Sequence, residues 1–275
     1  SDAETVTVTF SDGDDSTEDV VVEATQNDDG TWSVADADLS TLNDGNITVT
    51  ATVTDDAGNT STTTDTLALD TSADTDNNFT VAVSDTDAVT NADETDSVSV
   101  TLSGVDDDAQ SVVVTFSDGD ETTADVTVNA TKVDGVWTVA DADLRGLVDG
   151  TITVSAVATD EAGNTVETTD TLDLDTSADT DNNFSVAVAE SDAVTNADEA
   201  DSVSVTLSGV DADAETVVVT FSDGDETTAD VTVNATKVDG VWSVADADLS
   251  GLVDGTITVT ATVTDVAGNS QEATQ

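Results

Sequence analysis

Valine and threonine alternate along this chain in short bursts, and between the bursts lie clusters of Asp, Gly and Asn. Residues 71–175 show the pattern most fully. Phe79-Thr-Val-Ala-Val83 and Ser97-Val-Ser-Val-Thr-Leu102 alternate apolar with hydroxylated positions, and Ser111 to Phe116 and Asp125 to Thr131 continue it. Gly135 to Val139, Gly150 to Val157 and Val166 to Asp175 complete a set of seven period-two segments. Period two with β-branched residues predicts strands that bury one face. Turn signals separate them: Ser103-Gly-Val-Asp-Asp-Asp108, Ser117 to Glu121, Val133-Asp-Gly135 and Glu161-Ala-Gly-Asn164. The segment Ala140-Asp-Ala-Asp-Leu144 predicts the one helical turn. Seven short strands in about a hundred residues, with a tryptophan for the core, predict an all-β fold. The expected form is an immunoglobulin-like Greek-key sandwich of two antiparallel sheets.

The pattern then repeats. Phe10-Ser-Asp-Gly-Asp14 returns at Phe116 and at Phe221, and Thr71-Ser-Ala-Asp-Thr-Asp-Asn-Asn-Phe79 returns at Thr176 to Phe184. Residues 71–170 and 176–275 differ at about eighteen of one hundred aligned positions. Trp32, Trp137 and Trp242 hold equivalent places. A period this long predicts a linear array of domains in which each unit contributes length. The expected boundaries are 1–70, an incomplete repeat that lacks its first two strands; 71–175, a complete repeat; and 176–275, a repeat with a truncated last strand. The missing strands of the first repeat have two readings, an arbitrary boundary or donation of strands by a neighbouring chain, which would build a fibre by edge pairing.

Charge changes the picture. The chain carries 61 acidic residues against Lys132, Lys237 and Arg145, a formal net charge of -58. Self-repulsion on this scale weakens the compact state unless salt or bound cations screen it. Nucleic acid and anionic membranes are poor partners for such a chain, and no apolar run reaches the length of a membrane span. Two compatible explanations remain, a halophilic or marine surface and a set of divalent-cation sites. With no cysteine, a small extracellular domain must rely on its core or on metal ions as its staple. The absence of His, Cys and Tyr leaves almost no nucleophile–base pair, so an enzyme is not expected.

Calcium takes six to eight oxygens, from carboxylates, amides and backbone carbonyls. Asp74-x-Asp76-x-Asn78 and Asp179-x-Asp181-x-Asn183 have the spacing of the first three ligands of a calcium loop, although the later glycine and acid of an EF-hand are missing. Alternate residues of an extended segment point the same way, so these oxygens can converge if other loops complete the shell. In a sandwich, the turn between the last two strands lies at the pole where the chain enters. It carries Asp160, Glu161 and Asn164, and again Asp265 and Asn269, while Val266 in place of Glu161 speaks against Glu161. Asp70 and Asp175 end the preceding repeats. At the opposite pole the candidates are Asp85, Asp87, Asn91, Asp93 and Glu94, with Asp192, Asn196, Asp198 and Glu199 one repeat later. Asp118-Gly119-Asp120 and its equivalents are read as turn formers, and the tryptophans as core.

The segments Asp134-Gly-Val-Trp-Thr-Val139, Ala142-Asp-Leu-Arg-Gly-Leu-Val-Asp-Gly-Thr-Ile-Thr-Val154, Ala158-Thr-Asp-Glu-Ala-Gly-Asn164 and Leu172-Asp-Leu-Asp-Thr176 recur at Asp239 to Asn269 and, more loosely, at Asp29 to Thr71. They resemble the bacterial immunoglobulin-like extender repeats of giant repeats-in-toxin adhesins, and the resemblance covers essentially the whole chain. It implies a cell-surface stalk, exported by type I secretion, whose repeats bind calcium at their junctions and partner the neighbouring repeats. The chain departs from that pattern in having no proline and reading Thr-Ser-Ala-Asp where family linkers read Asp-Thr-Thr-Ala-Pro. The expected function is a calcium-rigidified extender that projects an adhesive tip. The alternatives are a ligand-binding adhesin or biofilm-matrix module, which needs a surface specific to one repeat, and a self-assembling surface-layer or fibre protein.

Overall fold

The computed structural model describes residues 3–84, 89–189 and 195–275 and contains, among them, strands and turns but no helix. Two compact units divide the chain. One comprises Ser1–Asn77, Asp106–Ser111 and Ala158–Val166, and the other Asn78–Val105, Val112–Val157 and Glu167–Gln275.

In the first unit, β1 (Ala3–Ser11), β2 (Val20–Glu23), β5 (Gly45–Asp55) and β6 (Thr60–Leu69) form a sheet in the order β2-β1-β5-β6, and β3 (Thr25–Gln26) pairs with β4 (Trp32–Ser33). Its register follows the alternation in the sequence. Val6, Val8 and Phe10 face Val53, Ala51 and Val49, while Thr7 and Thr9 face Thr52 and Thr50. Since successive side chains of a strand point to opposite faces, one face is apolar and the other carries hydroxyls.

The second repeat builds β7 (Thr80–Val83), β8 (Val89–Thr90), β9 (Val98–Ser103), β10 (Ala109–Ser117), β11 (Val126–Asn129), β12 (Thr131–Val133), β13 (Val136–Ala142), β14 (Gly150–Asp160) and β15 (Thr165–Leu174). They form sheets ordered β12-β13-β9-β7 and β11-β10-β14-β15-β8. The third repeats the plan with β16 (Ser185–Val188), β17 (Val203–Ser208), β18 (Ala214–Ser222), β19 (Val231–Asn234), β20 (Thr236–Val238), β21 (Val241–Ala247), β22 (Thr258–Asp265) and β23 (Ser270–Thr274), ordered β16-β17-β21-β20 and β19-β18-β22-β23. Its core packs Val205, Leu207, Val219, Phe221, Trp242, Val244, Ala261 and Val263. Each large aliphatic or aromatic side chain buried there contributes about 1.5–3 kcal/mol.

The expected strand from Asp125 to Thr131 is broken in two. β11 pairs with β10 and β12 with β13, so the chain changes sheets at buried Ala130, whose N–H donates to the Val112 carbonyl at 2.9 Å. A small side chain fits the corner between two sheets. Ala140 to Leu144 is not helical: β13 runs through Ala142, and the Leu144 N–H is taken by the Thr95 carbonyl at 2.7 Å. The tight turn comes afterwards, where Leu147 N–H reaches the Leu144 carbonyl. β8, two residues pairing in parallel with the end of β15, was not anticipated at all.

Candidate metal centres

The candidate sites are assembled from three segments: the linker that follows a repeat, the hairpin turn between the last two strands, and the loop that follows β9 or β17. The hairpin turn is built by its own acid. Asp160 accepts the N–H groups of Gly163 (2.7 Å) and Asn164 (2.8 Å) and the Asn164 side-chain amide (2.7 Å). Asp265 takes Asn269 N–H at 2.8 Å and its amide at 2.9 Å. Both acids are 1% exposed. The asparagine then reaches back to the linker, where Asn164 donates to the Asp70 carbonyl at 3.2 Å and Asn269 to the Asp175 carbonyl at 2.8 Å.

This folding gathers carboxylates in four trios, each with ligand oxygens within 4.8 Å of one another: Asp70, Asp108 and Asp160; Asp74, Asp76 and Asp106; Asp175, Asp213 and Asp265; Asp179, Asp181 and Asp211. Two oxygens bound to one calcium at 2.3–2.6 Å are at most about 5 Å apart, so the spacing suits a single shared ion. Burial, followed by Asp160 and Asp108, pushes the Asp70 carboxyl above the ordinary carboxylate range. Burial, followed by Asp265 and Asp213, does the same to Asp175. For Asp160 burial also raises, but its bonds from Asn164 and Gly163 prevail and hold it below the ordinary value.

Side-chain cations do not balance these trios. Lys132 and Lys237 sit over the rings of Trp137 and Trp242 at 5.5 and 5.4 Å. Arg145 bonds exposed Asp143 at 2.6 Å, the one ion pair among the described residues, and with that bond the Asp143 carboxyl drops to about 2. Asp213 Oδ1 is buried and accepts no hydrogen bond. A buried carboxylate oxygen without a partner is costly, and a divalent cation between Asp175, Asp213 and Asp265 would relieve that cost.

The outer trios are shaped by backbone. Asp179 accepts the N–H groups of Asn183 and Phe184 at 3.1 Å each, and Asp211 accepts that of Thr180 at 3.0 Å. The Asn183 amide donates to Asp181 at 2.6 Å. Gly209, with φ of +68°, lies so close to Asn183 that a Cβ there would collide with its carbonyl and side-chain oxygen, and Gly104 stands in the same relation to Asn78.

The structure therefore brings together Asp70, Asp160 and Asn164; Asp175, Asp265 and Asn269; Asp74 with Asp76; and Asp179, Asp181 and Asn183. Asn91, Asp93 and Glu94 instead form a turn of their own, in which Glu94 accepts Asn91 N–H at 3.1 Å and Asn91 Oδ1 accepts Asp93 N–H at 2.9 Å. Asn196, Asp198 and Glu199 repeat that turn. Asp85, Asp87 and Asp192 lie outside the described residues. Asp106, Asp108, Asp211 and Asp213 were missed by sequence reasoning. Their signal was the recurrence of Gly-Val-Asp-x-Asp one period apart, which reads in isolation as an ordinary turn. Asp118 is a turn former, taking Asp120 N–H at 2.9 Å, and it also holds Val148 N–H of a second loop at 2.8 Å.

Comparison with known proteins gives a family match for the first part of the chain and sequence similarity for the whole. Residues 1–71 match the bacterial Ig-like domain model. The whole chain is 31% identical to a tetra-tandem repeat from the extending region of a large adhesion protein, covering 67% of that chain, with a TM-score of 0.33. It is 28% identical over 99% of its length to part of a 1.5-MDa bacterial ice-binding adhesin, covering 84% of that chain (TM-score 0.42). It is 29% identical over 99% to a Ca2+-stabilized adhesin of an Antarctic bacterium that binds ice, covering 64% of that chain (TM-score 0.45). No curated protein matches. On the domain match, residues 1–71 belong to the bacterial Ig-like domain family, and the whole chain is similar in sequence, at 28–31% identity, to repeats of large bacterial adhesins.

Proposed function

We propose that this chain is an extender segment of a bacterial surface adhesin, exported to the cell exterior by a type I system, and that calcium at the repeat junctions makes it stiff. The boundaries 1–70, 71–175 and 176–275 are the proposed domains. The observation that carries the calcium reading is the buried, unpartnered Asp213 Oδ1 within the trio of Asp175, Asp213 and Asp265. Calcium stabilization of one similar adhesin supports it. An ion there joins linker, turn and loop of successive segments, and binding to the folded chain alone stabilizes it by mass action.

The test is calcium titration of the full chain by calorimetry, beside Asp213→Asn. The reading expects several sites in the wild type, and the variant to lose binding at one of them. Absence of calcium binding at millimolar concentrations overturns it, as does an Asp213→Asn titration identical to the wild type.

A further inference from the structure

We propose that the turn Asn91–Glu94 is a docking surface for the Ala-Gly-Asn turn of the following repeat, and that it clamps the two repeats together without a metal ion. The inference deepens the extender reading and rests on it. Asn91 Nδ2 donates to the Ala267 carbonyl at 3.1 Å, and Ala92 N–H donates to Asn269 Oδ1 at 2.9 Å. These contacts close a ring of hydrogen bonds through three segments. The Thr90 carbonyl accepts Asp175 N–H at 3.0 Å, the Asp175 carbonyl accepts the Asn269 amide at 2.8 Å, and Asn269 returns to Ala92. The linker residue is thus held on both of its backbone groups, by the repeat before it and the repeat after it.

Asn269 spends both ends of its amide in this ring, since its NH2 also reaches Asp265 at 2.9 Å. Its oxygen is occupied by a backbone N–H, so Asn269 acts as a positioning residue rather than as a cation ligand. The docking turn is preformed. Asn91 Oδ1 and N–H are fixed within the turn, which leaves Nδ2 to face outward to Ala267. Gly268, with φ of +92°, lets the turn adopt its left-handed backbone, and Asn91 Nδ2 lies within van der Waals reach at 3.9 Å from where a Cβ would stand. A chain without proline thereby gains a restraint on its linker made of asparagines. The bonds involve neutral amides and backbone groups, so removal of cations leaves their donors and acceptors intact.

The experiment uses the full chain, which has no cysteine, with spin labels at Val133→Cys and Val238→Cys, both on exposed strand positions. Pulsed electron resonance reads the distance distribution with calcium and with chelator at high salt. Asn91→Asp keeps the acceptor for Asp93 N–H but loses the donor to Ala267, and Asn91→Ala adds no charge. The clamp expects the wild type in chelator to be broader than in calcium, yet at least twofold narrower than both variants in chelator. A wild type as broad as the variants in chelator overturns the proposal, and so do variants as narrow as the wild type. Calcium calorimetry on the same samples reports separately on the metal sites.

Discussion

Asn269 and Asp175, 94 residues apart in the chain, are joined by a 2.8 Å bond from the asparagine amide to the aspartate main-chain carbonyl. Asn164 makes the same bond to Asp70 at 3.2 Å. A linker that would otherwise be an untethered strand end is thereby tied to the hairpin turn whose acid belongs to the same carboxylate trio. Fold and candidate metal site are built by one contact, so changes to either report on the other.

The glycine of the Gly-Val-Asp loop is a steric requirement of the outer trio. Gly209→Ala places a Cβ against Asn183 in a left-handed conformation. The left-handed strain and the overpacking together cost about 2–5 kcal/mol. Gly163→Ala, at φ of +95° but with open space around it, carries the conformational part alone, about 1–2 kcal/mol. Denaturant unfolding of both variants in calcium gives the difference.

If calcium binds as proposed, protons compete with it for the trios of Asp70 and Asp175. Asp70 and Asp175 are raised in the folded chain by burial and by neighbouring acids. Their contribution to stability is therefore full below the ordinary carboxylate pKa and lost as pH rises through the raised value. Asp12 and Asp118, lowered by the N–H groups of Asn43 and Val148, contribute above the ordinary value and lose it as pH falls through the lowered one. In chelator the melting temperature thus rises as pH falls from neutral through the raised values toward the ordinary carboxylate pKa, and drops again as pH falls further through the lowered ones. Calcium moves the maximum toward neutral pH, because bound ions favour the ionized trios. Melting curves across pH in the two conditions check both signs.

Lys237 over Trp242 contributes through the ring face. Lys237→Ala costs about 0.5–1 kcal/mol, whereas Trp242→Ala removes a core side chain of the third repeat and costs about 3–5 kcal/mol. Urea unfolding of both variants followed by circular dichroism, which reports every repeat, separates the two effects.

The alternation of Val and Thr placed most strands within a few residues, because one buried face per sheet leaves that alternation in the sequence. The Asp-x-Asp-x-Asn spacing singled out the linker acids, and sandwich topology singled out the Asp160 and Asp265 turns. The break at Ala130 escaped because the Val-Thr-Val-Asn-Ala-Thr pattern continues through it, and only pairing with two different sheets divides it. Ala140 to Leu144 misled for the opposite reason: alanine and leucine favour a helix, but Ala142 is buried against Val98 across the ladder. Asp108 and Asp213 were hidden in a loop whose Gly and Asp residues suit a turn equally well, and only the three-dimensional approach of the linker distinguishes them. Asn91 carried no sign of its partner, which lies 176 residues away.

The most direct test of the account is small-angle X-ray scattering of the full chain in calcium and in chelator, at one fixed high ionic strength, with melting temperature recorded beside it. The account predicts a longer and stiffer particle in calcium, together with a large rise in melting temperature. Identical scattering and melting in the two conditions would contradict it, and would leave the acidity of this chain as a property of its surface alone.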